Sequence, residues 1–547
     1  MAGAAALAAL RAAARECQLA VPSFSDEQAA QVLAITDELC AHFLPPAFSA
    51  QAASPLLQLP AELLADILSR FDTRDLACLA ATCLLLCRDA PTPPPPPRAI
   101  GPVETELRRR AEARGLDVGS SLPEGATSWV ACLLKRDRRD AQTRQVPLAV
   151  GEDHSMFLDK EGRLLTCGRE DVNFSPLLGH AVDPDADPGN QIGPPTPVAS
   201  MQDRRIVSVA TSDGHCLALS AEGEVFSWGH GAYGALGHGD DADRTVPCRI
   251  ESLSHIEHIA AGPGPNLTSS AVDEKGRLFT WGQARLVEEE EDEDGEREVI
   301  KGPAGLGYEL DAETEYQATP KRVDALSQDR VVGVALGDGF TLAVTDAGAV
   351  FSFGFSRDGA LGHGSLESEV LPRRIEALAQ TRRRFIAVAA GNFHALALTE
   401  EGELYGWGHE RANGHGREER TPQRVAALIG QHIKLRRIKL VYARDNVSCA
   451  VTEKGELFTW GEPIGEGSLG HEGPQATPTR VAGLSGVEVA AVAISGTHTL
   501  AADADGVVWA FGRRRALGLG APGPEDDAPV PTPTPIPTLR VRVLNSP

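Results

Sequence analysis

Cys216-Leu217-Ala218-Leu219-Ser220-Ala221-Glu222-Gly223-Glu224-Val225-Phe226-Ser227-Trp228-Gly229 decides the fold. An apolar stretch, Cys216 to Leu219, runs into the polar turn Ala221-Glu222-Gly223, and Val225-Phe226-Ser227-Trp228 returns. That is a β-hairpin, with glycine where a loop of this length demands positive φ. The pattern occurs seven times. Its turn glycines are Gly162, Gly223, Gly276, Gly348, Gly402, Gly455 and Gly506, and six residues later in every copy stands a closing glycine: Gly168, Gly229, Gly282, Gly354, Gly408, Gly461 and Gly512. Cys167, Trp228, Trp281, Phe353, Trp407, Trp460 and Phe511 precede these, large or soft side chains suited to filling the space between packed sheets.

Working outward, each copy continues through a variable loop with a Leu-Gly or Asn-Gly step, such as Leu236-Gly237-His238 or Asn413-Gly414-His415. A Pro then precedes a further strand, as in Pro247-Cys248-Arg249-Ile250, so each unit offers about four strands. A four-stranded sheet cannot bury both faces alone, whereas sheets set radially bury them against one another. From Gly168 to Gly512 the mean period is about 57 residues, longer than the roughly 40 to 45 of WD repeats. Strings such as Gly391-Asn392-Phe393-His394 through Trp407-Gly408 closely resemble the regulator-of-chromosome-condensation repeat family over about 400 residues. The resemblance implies a seven-bladed β-propeller closed by joining its N- and C-terminal strands, for which Leu148-Ala149-Val150 and Arg540-Val541-Arg542-Val543-Leu544 are the candidates.

Eight residues before the turn glycine stand His154, His215, His394 and His498, with Thr268, Phe340 and Val447 in the other copies. None has a second ligand at chelating spacing, so they read as structural, hydrogen-bonding within the blade, and no metal is expected. The Leu-Gly-His set reads the same way. Residues 288–298 carry nine acids in eleven, an insertion in the third unit expected to be an irregular, solvated loop, with docking of a basic partner as the alternative.

Before the ring the composition changes. Ser25 and Gln28 suit a capping box ahead of an amphipathic helix over Val32 to Phe43, stopped by Pro45-Pro46. Leu59-Pro60-Ala61-Glu62-Leu63-Leu64-Ala65-Asp66-Ile67-Leu68 follows, with Leu63, Ile67 and Leu68 on one helical face, then Asp75-Leu76, Leu79 and Cys83. This string resembles the F-box, which implies docking on the Skp-family adaptor of a cullin complex through Leu59, Pro60, Leu63, Ile67, Leu68, Leu76 and Leu79. Leu84-Leu85-Leu86 stand where that family commonly has a Trp; the other reading is a helical hairpin packed on the propeller or first helix. The expected organisation is a helical segment at 1–50, the F-box-like motif at 55–90, a proline-rich linker at 91–100, a helical connector at 101–145 and the propeller at 146–544. The fold class is mainly β, with a small N-terminal all-α region.

A net charge of -24 makes a DNA duplex a poor partner and favours basic proteins. Ten scattered cysteines without a C-x-x-C pair fit a reducing compartment, cytoplasmic or nuclear, and no apolar run is long enough for a bilayer. Residues 1–18 are Ala-rich with Arg11 and Arg15, and a transit peptide is the alternative there. No nucleotide-binding Gly loop, nucleophile elbow or ligand pair appears, so no catalytic residue, cofactor or enzymatic activity is expected. Together the two resemblances imply a substrate-recognition subunit of an SCF-type ubiquitin ligase. The alternative is a free-standing scaffold or exchange factor for a small GTPase. An ultraviolet photoreceptor would require a Gly-Trp-Arg-His-Thr motif, which is absent.

Overall fold

In the computed structural model the chain divides into two units, and the described residues belong to the second, Gln142–Ser546. They are 146–169, 177–180, 191–264, 267–291, 297–311, 314–428, 437–519 and 528–543. The F-box-like residues Leu59, Pro60, Leu63, Ile67, Leu68, Leu76 and Leu79, with everything else read over 1–145, lie outside the described residues.

Among the described residues there are seven four-stranded antiparallel sheets and one two-stranded ribbon. Blade 1 is β1 Leu148–Val150, β2 His154–Leu158, β3 Leu164–Arg169 and β4 Gln191–Pro197; blade 2 is β5 Ile206–Thr211, β6 His215–Ser220, β7 Val225–Gly229 and β8 Arg244–Arg249. Blade 3 is β9 Ile256–Ala261, β10 Thr268–Asp273, β11 Leu278–Gln283 and β14 Tyr316–Arg322, interrupted by the ribbon β12 Arg285–Glu291 and β13 Arg297–Pro303. Blade 4 comprises β15 Val331–Leu336, β16 Phe340–Thr345, β17 Val350–Gly354 and β18 Glu369–Arg374; blade 5, β19 Phe385–Ala390, β20 His394–Thr399, β21 Leu404–Gly408 and β22 Glu419–Arg424. Blade 6 is β23 Ile438–Arg444, β24 Val447–Thr452, β25 Leu457–Gly461 and β26 Gln475–Arg480; blade 7 is β27 Val489–Ile494, β28 His498–Asp503, β29 Val507–Gly512 and β30 Val530–Arg540.

Why seven sheets hold together follows from strand alternation. On β6, Cys216 and Ala218 pack with Met156 and Leu158 of blade 1, whereas Leu217 and Leu219 pack with Ile256 and Ala271 of blade 3. One apolar cluster fills each junction, and each closing residue sits in the cluster shared with the preceding blade: Trp228 between blades 1 and 2, Trp281 between 2 and 3, Trp407 between 4 and 5, Trp460 between 5 and 6. All four tryptophans are fully buried. Their indole N–H groups donate across the junction to loop carbonyls of Leu177, Ala235, Ala360 and Ala412, at 2.7–2.9 Å. Those carbonyls lie just before the Leu-Gly and Asn-Gly steps, which therefore seat the neighbouring blade's tryptophan.

The hairpin turn forms as expected, with Gly223 at φ 83° donating to the Ser220 carbonyl at 3.0 Å. At the closing position, Gly229 has φ 106°, and a Cβ there would meet the Gly214 carbonyl oxygen at 2.6 Å. Prolines lie inside the outer strands rather than ahead of them: Pro247 in β8, Pro320 in β14, Pro372 in β18, Pro422 in β22 and Pro478 in β26. A proline on an outer edge removes a donor that would otherwise recruit a foreign strand.

Three expectations need correction. Ring closure does not build one blade from both termini: β1 to β4 and β27 to β30 are each contiguous, and the seam is the apolar cluster joining Phe157 and Leu148 to Leu500 and Val508. Val541 adds a single bridge to Asp159. Second, the histidines bond between blades as well as within them: His154 reaches Thr211, His215 Ser269, His394 Ser448 and His498 Ser155, at 2.7–2.8 Å, while inside their own blades His215 bonds Ser212 at 2.8 Å and His498 bonds Thr497 at 3.0 Å. Third, the acidic segment is not an irregular loop throughout, because β12 and β13 pair from Arg285↔Pro303 to Glu291↔Arg297. Its base is anchored by Leu286, which is buried against Gly339, and by Gly302, which lies against Phe355.

Candidate binding face

In a four-stranded meander the first-to-second and third-to-fourth connections share one end. The loops and the acidic ribbon therefore lie on one face of the ring, with the hairpin turns of Gly162 and its counterparts on the other. First strands line a 220 Å³ axial cavity, mostly through small apolar residues such as Ala260, Ala335, Ala389 and Ala443.

At the loop end of this channel hydrogen bonds join first-to-second turns of successive blades into a collar. Asp338 N–H donates to the Asn392 carbonyl at 3.2 Å, Asn392 N–H to the Asp445 carbonyl at 2.8 Å, and Gly496 N–H to the Asp445 carboxylate at 2.6 Å. Thr497 donates to the Glu152 carbonyl at 2.6 Å and Arg513 to Asp153 at 2.7 Å, so blades 4 to 7 and 1 are chained. Buried Arg444 spans the mouth from blade 6 to blade 2, donating to the Thr211 carbonyl and to Asp213, both at 2.5 Å. Asp213 also accepts from Gly264 N–H at 3.2 Å, which brings in blade 3.

Five carboxylates, Glu152, Asp153, Asp213, Asp338 and Asp445, share this collar with the guanidiniums of Arg444 and Arg513. Electrostatics registers the imbalance. Burial, then repulsion from Asp213 and Asp153, raises the Glu152 carboxyl above its ordinary value. Burial raises Asp445 as well, with Arg444 opposing and Asp213 reinforcing. For Asp213, burial works upward but the charge and hydrogen bond of Arg444 outweigh it and hold the group low. Beside the collar, Ile464 is 64% exposed while its N–H bonds the Gly496 carbonyl at 2.8 Å, an apolar side chain fixed at the rim. Arg357 lies 4.7 Å over the Phe393 ring on the same face.

The repeat glycines and tryptophans singled out in the sequence are scaffold: the tryptophans fill blade junctions, the turn glycines lie on the opposite face, and the closing glycines sit at the loop end against the first-to-second turns, Gly168 beside the Asp153 carbonyl and Gly512 beside the Thr497 carbonyl. Arg444, Asp213, Asp445 and Ile464 went unnoticed. A signal existed: ten residues before the turn glycine stand Glu152, Asp213, Asn266, Asp338, Asn392 and Asp445, a polar residue in six of the seven copies, with Gly496 in the seventh. Among the described residues, no group of three or more His, Cys, Asp or Glu could hold a metal.

The sequence profile of the regulator of chromosome condensation (RCC1) repeat matches residues 222–264, 347–398 and 454–502, and a second RCC1 profile matches 206–235 and 385–417. The chain carries RCC1 repeats. These RCC1 repeats form the seven-bladed propeller described above. Among curated relatives, the human E3 ubiquitin-protein ligase HERC2 is 36% identical over 321 residues, 57% of this chain but 6% of HERC2. The ultraviolet-B receptor UVR8 of Arabidopsis thaliana is 32% identical over 337 residues, 59% of this chain and 66% of the receptor. The chain thus spans a small fraction of HERC2 and just under two thirds of UVR8. Among solved structures, Prp20p from Saccharomyces cerevisiae superimposes with a TM-score of 0.53 at 21% identity, over 74% of this chain and 89% of that one. Human WBSCR16 gives 0.53 at 20% identity, over 65% and 86%. Both share the fold.

Proposed function

We propose that the protein is a substrate-recognition subunit of an SCF-type ubiquitin ligase. Its RCC1-repeat propeller takes a basic target protein on the loop face, and residues 59–88 hold a Skp-family adaptor. The observation that carries the target-binding part is the collar, where fixed carboxylates outnumber guanidiniums beside an exposed, backbone-anchored Ile464. Apolar anchors ringed by complementary charge are the makings of a protein interface. The F-box-like string Leu59-Pro60-Ala61-Glu62-Leu63 supports the adaptor part. HERC2, which contains a stretch similar to the propeller, is an E3 ubiquitin-protein ligase.

A second reading is a propeller acting alone on a small GTPase; Prp20p, of the same fold, is described by its binding to Gsp1p and histones. The test is affinity capture with the full chain and with Ile464→Asp and Glu152→Lys. A basic target retained by wild type and lost by both variants supports the reading. Capture unchanged by either substitution, or accelerated nucleotide release from a GTPase without adaptor binding, contradicts it.

A further inference from the structure

The repeat itself exposes a second site, on the opposite, hairpin-turn face. In blades 2, 5 and 6 the residue after the turn glycine is Glu224, Glu403 or Glu456. Each receives an arginine from the end of its own outer strand: Arg249 at 3.3 Å, Arg424 at 2.9 Å and Arg480 at 3.2 Å. Register makes these three arginines equivalent, since Arg249 pairs opposite Phe226, Arg424 opposite Tyr405 and Arg480 opposite Phe458. In blades 2 and 5 the same glutamate also takes an arginine from the preceding linker, Arg204 at 2.6 Å and Arg383 at 3.3 Å. The position is thus a carboxylate held by one or two guanidiniums.

Blade 4 keeps the arginine and lacks the acid. Arg374 stands opposite Phe351, in register with Arg249, Arg424 and Arg480, but the residue after Gly348 is Ala349. A cavity of about 250 Å³ opens there, lined by Gly348, Ala349, Arg374, Leu378, Arg382 and Phe385 among others. Neighbouring guanidiniums are otherwise engaged: Arg373 pairs with Glu369, Arg383 with Glu403 and Arg384 with Glu400. Among the described residues no carboxylate pairs with Arg374 or Arg382. Two unpaired guanidiniums facing one cavity attract an anion, and Arg presents a fork matched to carboxylate geometry.

We propose that this cavity binds a carboxylate from an acidic segment of a partner protein, in the place that the chain's own glutamate fills in blades 2, 5 and 6. The site lies on the face opposite the collar, so it stands whether or not the ligase reading does. A charged side chain at a protein rim fixes orientation and register more than affinity, so this contact would orient a second partner on the turn face.

The experiment uses the full chain and a labelled penta-glutamate peptide, with a penta-glutamine peptide as control and inorganic phosphate as competitor, read by fluorescence anisotropy at low salt. Wild type is expected to bind the glutamate peptide at least tenfold more tightly than the glutamine one. Ala349→Glu restores the internal pair; it should retain or raise the melting temperature and lose at least tenfold in affinity, as should Arg374→Ala. Ser252→Glu, which adds the same charge elsewhere on that face, should bind as wild type. Equal binding of both peptides, undiminished binding by Ala349→Glu, an equal loss in Ser252→Glu, or displacement by phosphate at lower concentration than by free glutamate would each overturn the proposal.

Discussion

At the scale of the residue, two groups carry the ring. Trp407 buries its whole side chain in the junction of blades 4 and 5 and donates to the Ala360 carbonyl at 2.7 Å. Trp407→Ala removes both and should cost about 3–5 kcal/mol, read from the urea midpoint; a loss under about 1 kcal/mol would show that the junction tolerates a void. The interblade histidines make stability depend on pH. Burial holds His154 at about 4 and His215, His394 and His498 at about 3. Unfolded, each binds a proton below about 6.5, so between these values the unfolded state holds more protons and stability falls with falling pH. Above about pH 7 the four contribute no slope. Melts from pH 7.5 to 4.5 should decline through that window, and the His215→Asn/His394→Asn double variant should decline less steeply; parallel profiles would contradict the assignment. The scaffold residues were legible because each recurs at one spacing seven times. Arg444 was not, because its partners Thr211 and Asp213 lie more than 230 positions away on a different blade, and only ring closure brings them together.

At the scale of the element, the acidic segment shows where charge alone misleads. Nine acids in eleven suggest a solvated coil, yet the segment is flanked by the β-forming residues Leu286, Val287, Val299 and Ile300, and the strands pair with Val287 opposite Lys301 and with Glu288 and Glu289 opposite Ile300 and Val299. The register sets Glu290 opposite Glu298. Leu286, buried against Gly339 of blade 4, anchors the base of the ribbon. Replacing residues 288–298 with a short Gly-Asn turn should leave the urea midpoint of the propeller within about 0.5 kcal/mol of wild type. If the ribbon belongs to the binding face, the same deletion should flatten the salt dependence of basic-target binding. Unfolding of the ring on deletion would instead make the ribbon a structural part of blade 3.

At the scale of the whole molecule, the blades close on themselves through a seam no more elaborate than any other junction, and the Arg444 strut ties blade 6 to blade 2 across the axis. Removing one partner of such a pair strands the other's charge, so Asp213→Ala should cost about 2–4 kcal/mol, below the 3–5 of a fully buried pair because Asp213 is partly exposed. Arg444→Met strands the Asp213 and Asp445 carboxylates together and leaves the Thr211 carbonyl without its donor, so it should cost more; the reverse order would deny the strut its role. Seven blades of about four strands each were readable from spacing, while the manner of ring closure and the binding face emerged only when turns separated by some 50 residues were brought into one collar. The most direct test of the account purifies the full chain from cell extract as wild type, Ile464→Asp and Leu63→Asp, and quantifies adaptor, cullin and target in each. The account predicts that Leu63→Asp loses adaptor and cullin but keeps the target, and that Ile464→Asp keeps adaptor and cullin but loses the target. Recovery of no adaptor or cullin with the wild-type protein would contradict it.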